Sequence, residues 1–370
     1  MKVYFKGFNE LRAIGALSVI FGHIELIKSL NGIDNFMHLN FYKYTNGHIG
    51  VMMFFVLSGF LITYFLISEI NETQTIKFKL FYFKRLTRIW PIYYIMVIFS
   101  VYIFPFLLNL FENIDINYSF NQTKFYLLFL PNIGKNLNYQ INGASHLWSI
   151  GVEEQFYLIW PILLYYFRKY IFILLITILI TFSLANPFID FISYNFHVFK
   201  ANIEMKNFLN SFFSSFKINA MSLGGIFAYL LLSNSLKWIN NILFNRYFEV
   251  TVLFITAISW IFGIQFGTLN DEIYCLLFGV IIYNIASNKQ TIIRIENKLL
   301  FNLGKISYGL YVYHWIIIVL LIKVINYNYF NNNLVYNIIL YLSTFLCTIV
   351  ASKMSYNYIE KPLINLKKRI

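Results

Sequence analysis

The chain has 370 residues, 59% of them hydrophobic and only 12% charged, with 41 Phe and 29 Tyr. A soluble globular protein cannot cover that much apolar surface, so lipid is the expected solvent, and backbone groups in hydrocarbon find internal partners most simply in helices. The formal net charge of +13 would suggest a nucleic-acid face in a soluble protein, but membrane topology accounts for it and no nucleic-acid partner is expected.

Apolar runs of membrane length predict an all-α, polytopic integral membrane helical bundle of about ten transmembrane helices, near residues 11–28, 49–69, 91–110, 147–168, 170–187, 208–233, 246–265, 271–287, 305–325 and 334–353. The first run contains Arg12 and His23 with no small-residue cleavage site behind it, so it reads as a permanent span and not a signal peptide. An even count puts both ends on one side. With the N terminus inside, 21 of the 29 Lys and Arg fall in cytoplasmic segments, and both termini are therefore expected to be cytoplasmic. Residues 1–370 read as a single membrane domain with no appended soluble domain, internal repeat or long linker. The extracytoplasmic loops are rich in Asn and Tyr, which suits saccharide contacts and equally suits turns and the headgroup belt.

Four constellations could carry chemistry. In the first span, Arg12 and His23 are 11 positions apart, which at about 100° per residue returns to one helix face about 16 Å further along. Gly15, Ala16, Val19 and Gly22 form a small-residue track near that face, fit for another helix or a thin ligand. Before the third span, Arg85 and Arg88 share a face, and two guanidinium forks so spaced can grip phosphate oxygens of a nucleotide-bearing donor; positive-inside anchoring is the plain alternative. Opening the fourth span, His146, Ser149 and Glu153 recur on one face beside Trp148 and Glu154, and carboxylates just inside a membrane are costly unless they meet a polar cavity or partner. In the ninth span, Ser307, Tyr311 and His314 recur on one face next to Trp315, and simple hydrogen-bonded packing of His314 is the competing reading. His38, His48 and His197 read as loop or interface residues.

Cys275 and Cys347 both lie in apolar segments, so neither a disulfide framework nor a Cys-rich metal site is expected. No Ser sits in a nucleophile elbow, and the Asp residues fall in loops or at interfaces, which leaves a Ser-His-Asp triad with little support. Direct transfer with a neutral His as base is simpler.

The order of these motifs resembles acyltransferase family 3, the bacterial membrane enzymes that modify surface carbohydrates. The likeness is carried by Leu11-Arg12 through Gly22-His23, Phe54 through Ser58-Gly59, Lys84-Arg85-Leu-Thr-Arg88-Ile-Trp-Pro91, His146-Leu-Trp148-Ser149 through Glu153 to Tyr157, Gly304 through Ser307 to His314, and Glu360-Lys-Pro. Many members carry Asp-Gly before the first Arg, where this chain has Asn9-Glu10. The resemblance implies acetyl-CoA or a related acyl-CoA as co-substrate, with no permanently bound cofactor and no metal. Its phosphates would be held from the cytoplasm by Arg12, Arg85 and Arg88, with Ser58 on the donor side. His23 would be the general base and Glu153 would orient the acceptor hydroxyl or tune that His. His146, Trp148, Ser149, Tyr311 and His314 would line an acceptor cavity. The implied function is transfer of a short acyl group, foremost acetyl, to a cell-surface polysaccharide or lipid-linked glycan in a bacterial cytoplasmic membrane. With the sequence ending at Ile370, the chain would act alone or with a separate glycan-assembly partner. The rival readings are a glycan transporter or a silent export subunit; the absence of an inverted repeat and the placement of the basic pair at a membrane surface weigh against the transporter.

Overall fold

The computed structural model describes residues 4–36, 45–113, 115–196, 202–233, 237–330 and 332–366; His38 and His197 lie outside them. The described residues contain helices and no strand. The long helices are α1 (Phe8–Leu30), α2 (Thr45–Thr73) and α3 (Phe78–Ile98), which continues through a π turn into α4 (Phe104–Glu112). Short helices α5 (Phe120–Leu127) and α6 (Pro131–Asn136) lead to α7 (Trp148–Tyr166), α8 (Ile171–Phe196), α9 (Ile203–Ser215) and α10 (Ile218–Leu232). The rest are α11 (Asn240–Leu243), α12 (Arg246–Ile261), α13 (Asn270–Ser287), α14 (Lys298–Lys305), α15 (Ser307–Val324), α16 (Asn333–Ser355) and α17 (Lys361–Leu366).

The protein is a polytopic helical membrane protein, and each of the ten expected spans falls on helix. Among the described residues, eight helical stretches are long and apolar enough to cross a bilayer. The other two are α7, which carries Glu153 and Glu154 in its second turn, and α12, whose 16 residues reach only about 24 Å at 1.5 Å each. The span expected at 208–233 is broken at Phe216 and Lys217 between α9 and α10. The basic segment before the third span is already helical from Phe78. Several of the loop asparagines have a local use: Asn202, Asn245, Asn297 and Asn332 each accept a backbone N–H at a helix start.

Helix α2 is the centre of the bundle, packed against α1, α7, α10, α12 and α13. Its contact with α10 is backbone to backbone. A Cβ on Gly59 would stand 2.0 Å from the Met221 carbonyl oxygen, and one on Gly224 would stand 2.1 Å from that of Val56, so only glycine permits this approach. The small-residue track on α1 serves the same end: Gly50 lies against Ser18 and Gly15, and Gly47 against Gly22 and Val19. The track is thus filled by α2, not by a ligand. At the periphery, α8 and α16 turn Ile173, Ile180, Leu184, Leu342 and Leu346 outward, as lipid-facing spans do.

A fully buried ion pair fixes the far end of α1. Lys28 Nζ lies 2.8 Å from Glu25 Oε1 and donates to Asn337 Oδ1 at 2.8 Å, while the Tyr341 hydroxyl donates to Glu25 Oε1 at 2.6 Å. Both charges therefore find partners on α16, which satisfies the requirement for burying them.

Candidate active site

A cavity of about 280 Å³ opens between the N-terminal half of α1, α2, α3, α7 and α15. Arg12, Arg85 and Arg88 line it together with Ser58, Ser149, Glu153 and Tyr311, so seven of the eleven sequence-derived candidates share one space. Their convergence follows from helix spacing. Arg85 and Arg88 sit three residues apart on α3, and Arg12 lies in the second turn of α1, where the Asn9 side chain one turn earlier accepts its Nη1 proton at 3.0 Å. Asn9, three residues before Arg12, thus holds an amide oxygen in reach of the guanidinium.

Glu153 faces the arginine group. Its Oε2 accepts from the Tyr157 hydroxyl at 3.1 Å, Tyr157 is hydrogen-bonded in turn to Ser58, and the Arg85 guanidinium lies 5.3 Å from the Tyr157 ring centroid. The result is one line of polar contacts, Ser58 to Tyr157 to Glu153, beneath three cations. Neighbouring Glu154 points elsewhere and accepts from Trp90 Nε1 at 2.8 Å. Tyr157 was missing from the sequence-derived set, although its place four residues after Glu153 puts it on the same helix face. Tyr308, whose hydroxyl donates to the Ile89 carbonyl at 2.8 Å, is a second such residue.

Behind the cavity lies a histidine cluster. His23 Nδ1 and His314 Nε2 are 2.7 Å apart, their rings are nearly coplanar and meet edge to edge with centroids 5.0 Å apart, and Trp315 meets the His23 ring edge-on at 4.9 Å. His146 lies nearly parallel to Trp315 at 5.7 Å and meets His314 at 5.0 Å. Its Nε2 is 3.0 Å from the Val312 carbonyl, which makes Nε2 the protonated nitrogen. Tyr311 separates the two spaces. Its hydroxyl is 2.6 Å from Ser149 Oγ and donates to the His146 carbonyl at 2.8 Å, and its ring lies 5.7 Å from His314. The cavity wall therefore includes Ser149 and Tyr311 but none of the three histidines.

Two expectations change. Glu153 and His146 do not face a common outer cavity, because Tyr311 of α15, bonded to Ser149 Oγ and to the His146 carbonyl, stands between them; His314, not Glu153, is the partner of His23. Trp148 does not line the cavity either. As the first residue of α7 it packs edge-on against Phe55 at 6.1 Å and carries the Lys135 ammonium over its ring at 5.6 Å. The segment leading to it is anchored by Tyr126, whose phenol oxygen accepts the Ile141 N–H at 3.1 Å; burial pushes that phenol up to about 12, so it stays neutral. His48, expected in a loop or at an interface, sits near the start of α2 and pairs with Asp271 at 3.0 Å.

The chain resembles known proteins along nearly its whole length. A family model described as an acyltransferase domain, that of acyltransferase family 3, matches residues 5–353. A provisionally named O-acetyltransferase of Staphylococcus aureus (strain COL) is 28% identical over 97% of this chain and 57% of its own length. The O-acetyltransferase OatA of Staphylococcus aureus (strain NCTC 8325 / PS 47) is 27% identical over the same shares. The peptidoglycan O-acetyltransferase OatA of Listeria monocytogenes is 33% identical over 45% of this chain and 25% of its own length. The chain thus spans little more than half the length of the curated relatives it matches from end to end. No solved structure matches it. With the family's motifs in order and the model matched across 5–353, the chain belongs to acyltransferase family 3.

Proposed function

We propose that this chain is an O-acyltransferase that moves an acyl group, foremost acetyl, from acyl-CoA to a hydroxyl of a cell-envelope saccharide. The observation that carries the reading is the meeting of a three-arginine cavity with a histidine cluster across one tyrosine, Tyr311. Peptidoglycan is the first acceptor to test, since one relative is named for it. The setting is a bacterial cytoplasmic membrane with both termini on the cytoplasmic side, as the Lys and Arg distribution indicates.

In this reading Arg12, Arg85 and Arg88 hold the donor's phosphates, and Ser58, Tyr157 and Glu153 keep the guanidiniums in place. The pantetheine arm runs along the cavity towards Ser149 and Tyr311. His23 gives its Nδ1 proton to the hydrogen bond with His314 and keeps a lone pair on Nε2. That lone pair removes the proton from the acceptor hydroxyl as its oxygen attacks the thioester carbonyl. A C–O bond forms, the C–S bond breaks, and the departing thiolate takes the proton back from His23. Ser149 and Tyr311 line the wall at this end of the cavity, where the Tyr311 proton would have to leave the His146 carbonyl to reach the oxyanion that forms in between.

The test is transfer of radiolabelled acetyl from acetyl-CoA to peptidoglycan or surface polysaccharide in membranes bearing wild type, His23→Ala or Arg85→Ala at equal expression. Wild type should label and both variants should not; labelling by His23→Ala at the wild-type rate would remove that residue as base. If wild type labels no saccharide with any acyl-CoA, a transport or export role takes precedence.

A further inference from the structure

A second polar cleft of about 400 Å³ lies between α8, α9, α10, α13 and the start of α2. It carries amides, hydroxyls and two phenyl rings. Asp271 at its base is bridged by Lys217 at 2.8 Å and His48 at 3.0 Å, and Glu272 accepts from Asn219 Nδ2 at 2.7 Å. These carboxylates are already engaged, which argues against a metal or a cationic ligand.

Two side-chain acceptors are not engaged. Asn219, 5% exposed, directs its Nδ2 to Glu272 and Ser183, and its buried Oδ1 has no hydrogen-bond partner. Asn186 donates to Ser214 Oγ at 2.7 Å, and its buried Oδ1 also has none. A buried amide oxygen without a donor is costly, and a ligand O–H or N–H seated in the cleft would relieve both oxygens once their side chains turn towards it. Beside the amides, Phe182 and Phe213 meet at 5.5 Å and offer apolar faces. Hydrogen-bond acceptors next to flat apolar faces suit the hydroxyls and C–H faces of a neutral saccharide.

The cleft is joined to the histidine cluster by its neighbours. His48 follows Gly47, which packs on Gly22, the residue before His23. On the other flank, Asn136 of α6 donates to Ser215 Oγ at 3.0 Å, next to the cleft's Ser214, while Lys135 lies over Trp148, two residues after His146.

We propose that this cleft binds the acceptor glycan through Asn186, Asn219 and the two phenyl rings, one or more sugars away from the hydroxyl that reacts near His23. Saccharide binding stands on the cleft alone; its service to acyl transfer rests on the function proposed above.

The full chain in lipid nanodiscs is titrated with chitotetraose, a muramic-acid-containing tetrasaccharide and maltotetraose, with binding read by saturation-transfer NMR. At least one should bind wild type. Asn219→Leu and Asn186→Leu, which keep volume but remove the amide, should each weaken that ligand about tenfold, the equivalent of one lost hydrogen bond near 1.4 kcal/mol. Phe213→Ala gives an independent variant should a buried Leu fail to fold. In acyl transfer the same substitutions should raise the half-saturating acceptor concentration about tenfold without changing that for acyl-CoA. A wild type that binds none of the three, or variants that bind as wild type does, would mark the cleft as water-filled only and overturn the proposal. Wild type that binds saccharide yet transfers no acyl group would keep the cleft and sink the transferase reading instead.

Discussion

His23 and His314 meet nitrogen to nitrogen across the contact between α1 and α15, with Nδ1 and Nε2 2.7 Å apart and the ring planes 4° from parallel. Each imidazole fixes the tautomer of the other, because one nitrogen of the pair must donate and the other accept. His314→Gln, which can present an oxygen near the position of Nε2, should keep more acyl transfer than His314→Ala. The alanine variant should fall by about 10²-fold or more in kcat, since general-base catalysis supplies about 10² to 10⁴. Equal rates for the two would show that His314 does not position His23.

Arg85 stacks on Tyr157 while lining the arginine cavity. Arg85→Lys keeps the charge but loses the planar fork, so the half-saturating acyl-CoA concentration should rise about tenfold with a smaller change in kcat. Steady-state kinetics at saturating acceptor decide it. A lysine variant with unchanged acyl-CoA dependence would move donor binding to Arg12 and Arg88.

Glu25 and Lys28 form a fully buried pair. Removing one partner strands the other charge, so Lys28→Met should cost about 3–5 kcal/mol of stability, and Glu25→Leu with Lys28→Met should recover most of it. Thermal unfolding in detergent measures both. If the double variant is no better than the single one, the hydrogen bonds to Asn337 and Tyr341, not the charges, hold the two helices together.

Gly224 allows α10 to touch the backbone of α2. Gly224→Val puts methyl groups where the Val56 carbonyl stands and should abolish folded protein, with a loss of about 4 kcal/mol or more. Size-exclusion profiles report this directly. A monodisperse Gly224→Val protein would mean that α2 and α10 can part without loss of the fold.

Much of this was readable in the sequence because helix periodicity is local. Arg85 with Arg88, Ser149 with Glu153, and Ser307 with Tyr311 and His314 lie on single helix faces, so their spacing alone pairs them. What spacing does not contain is which faces meet. His23 and His314 are 291 residues apart, and nothing in either helix names the other as its partner. The same gap put Glu153 with the histidines instead of the arginines. The ion pair of Glu25 and Lys28 escaped notice because charges near a span's end ordinarily reach for the interface, and only α16 explains why these do not.

The glycine contact of α2 with α10 leaves no layer of side chains between the two helices. Helices that meet through side chains can slide by exchanging rotamers, but a pair locked carbonyl against α-carbon cannot. Both the arginine cavity and the amide-lined cleft take one wall from this pair, through Val51 and Ser58 on one side and His48 and Asn219 on the other. The two chambers therefore share a rigid spine, and any breathing that admits or releases a substrate has to come from the walls that this pair does not supply.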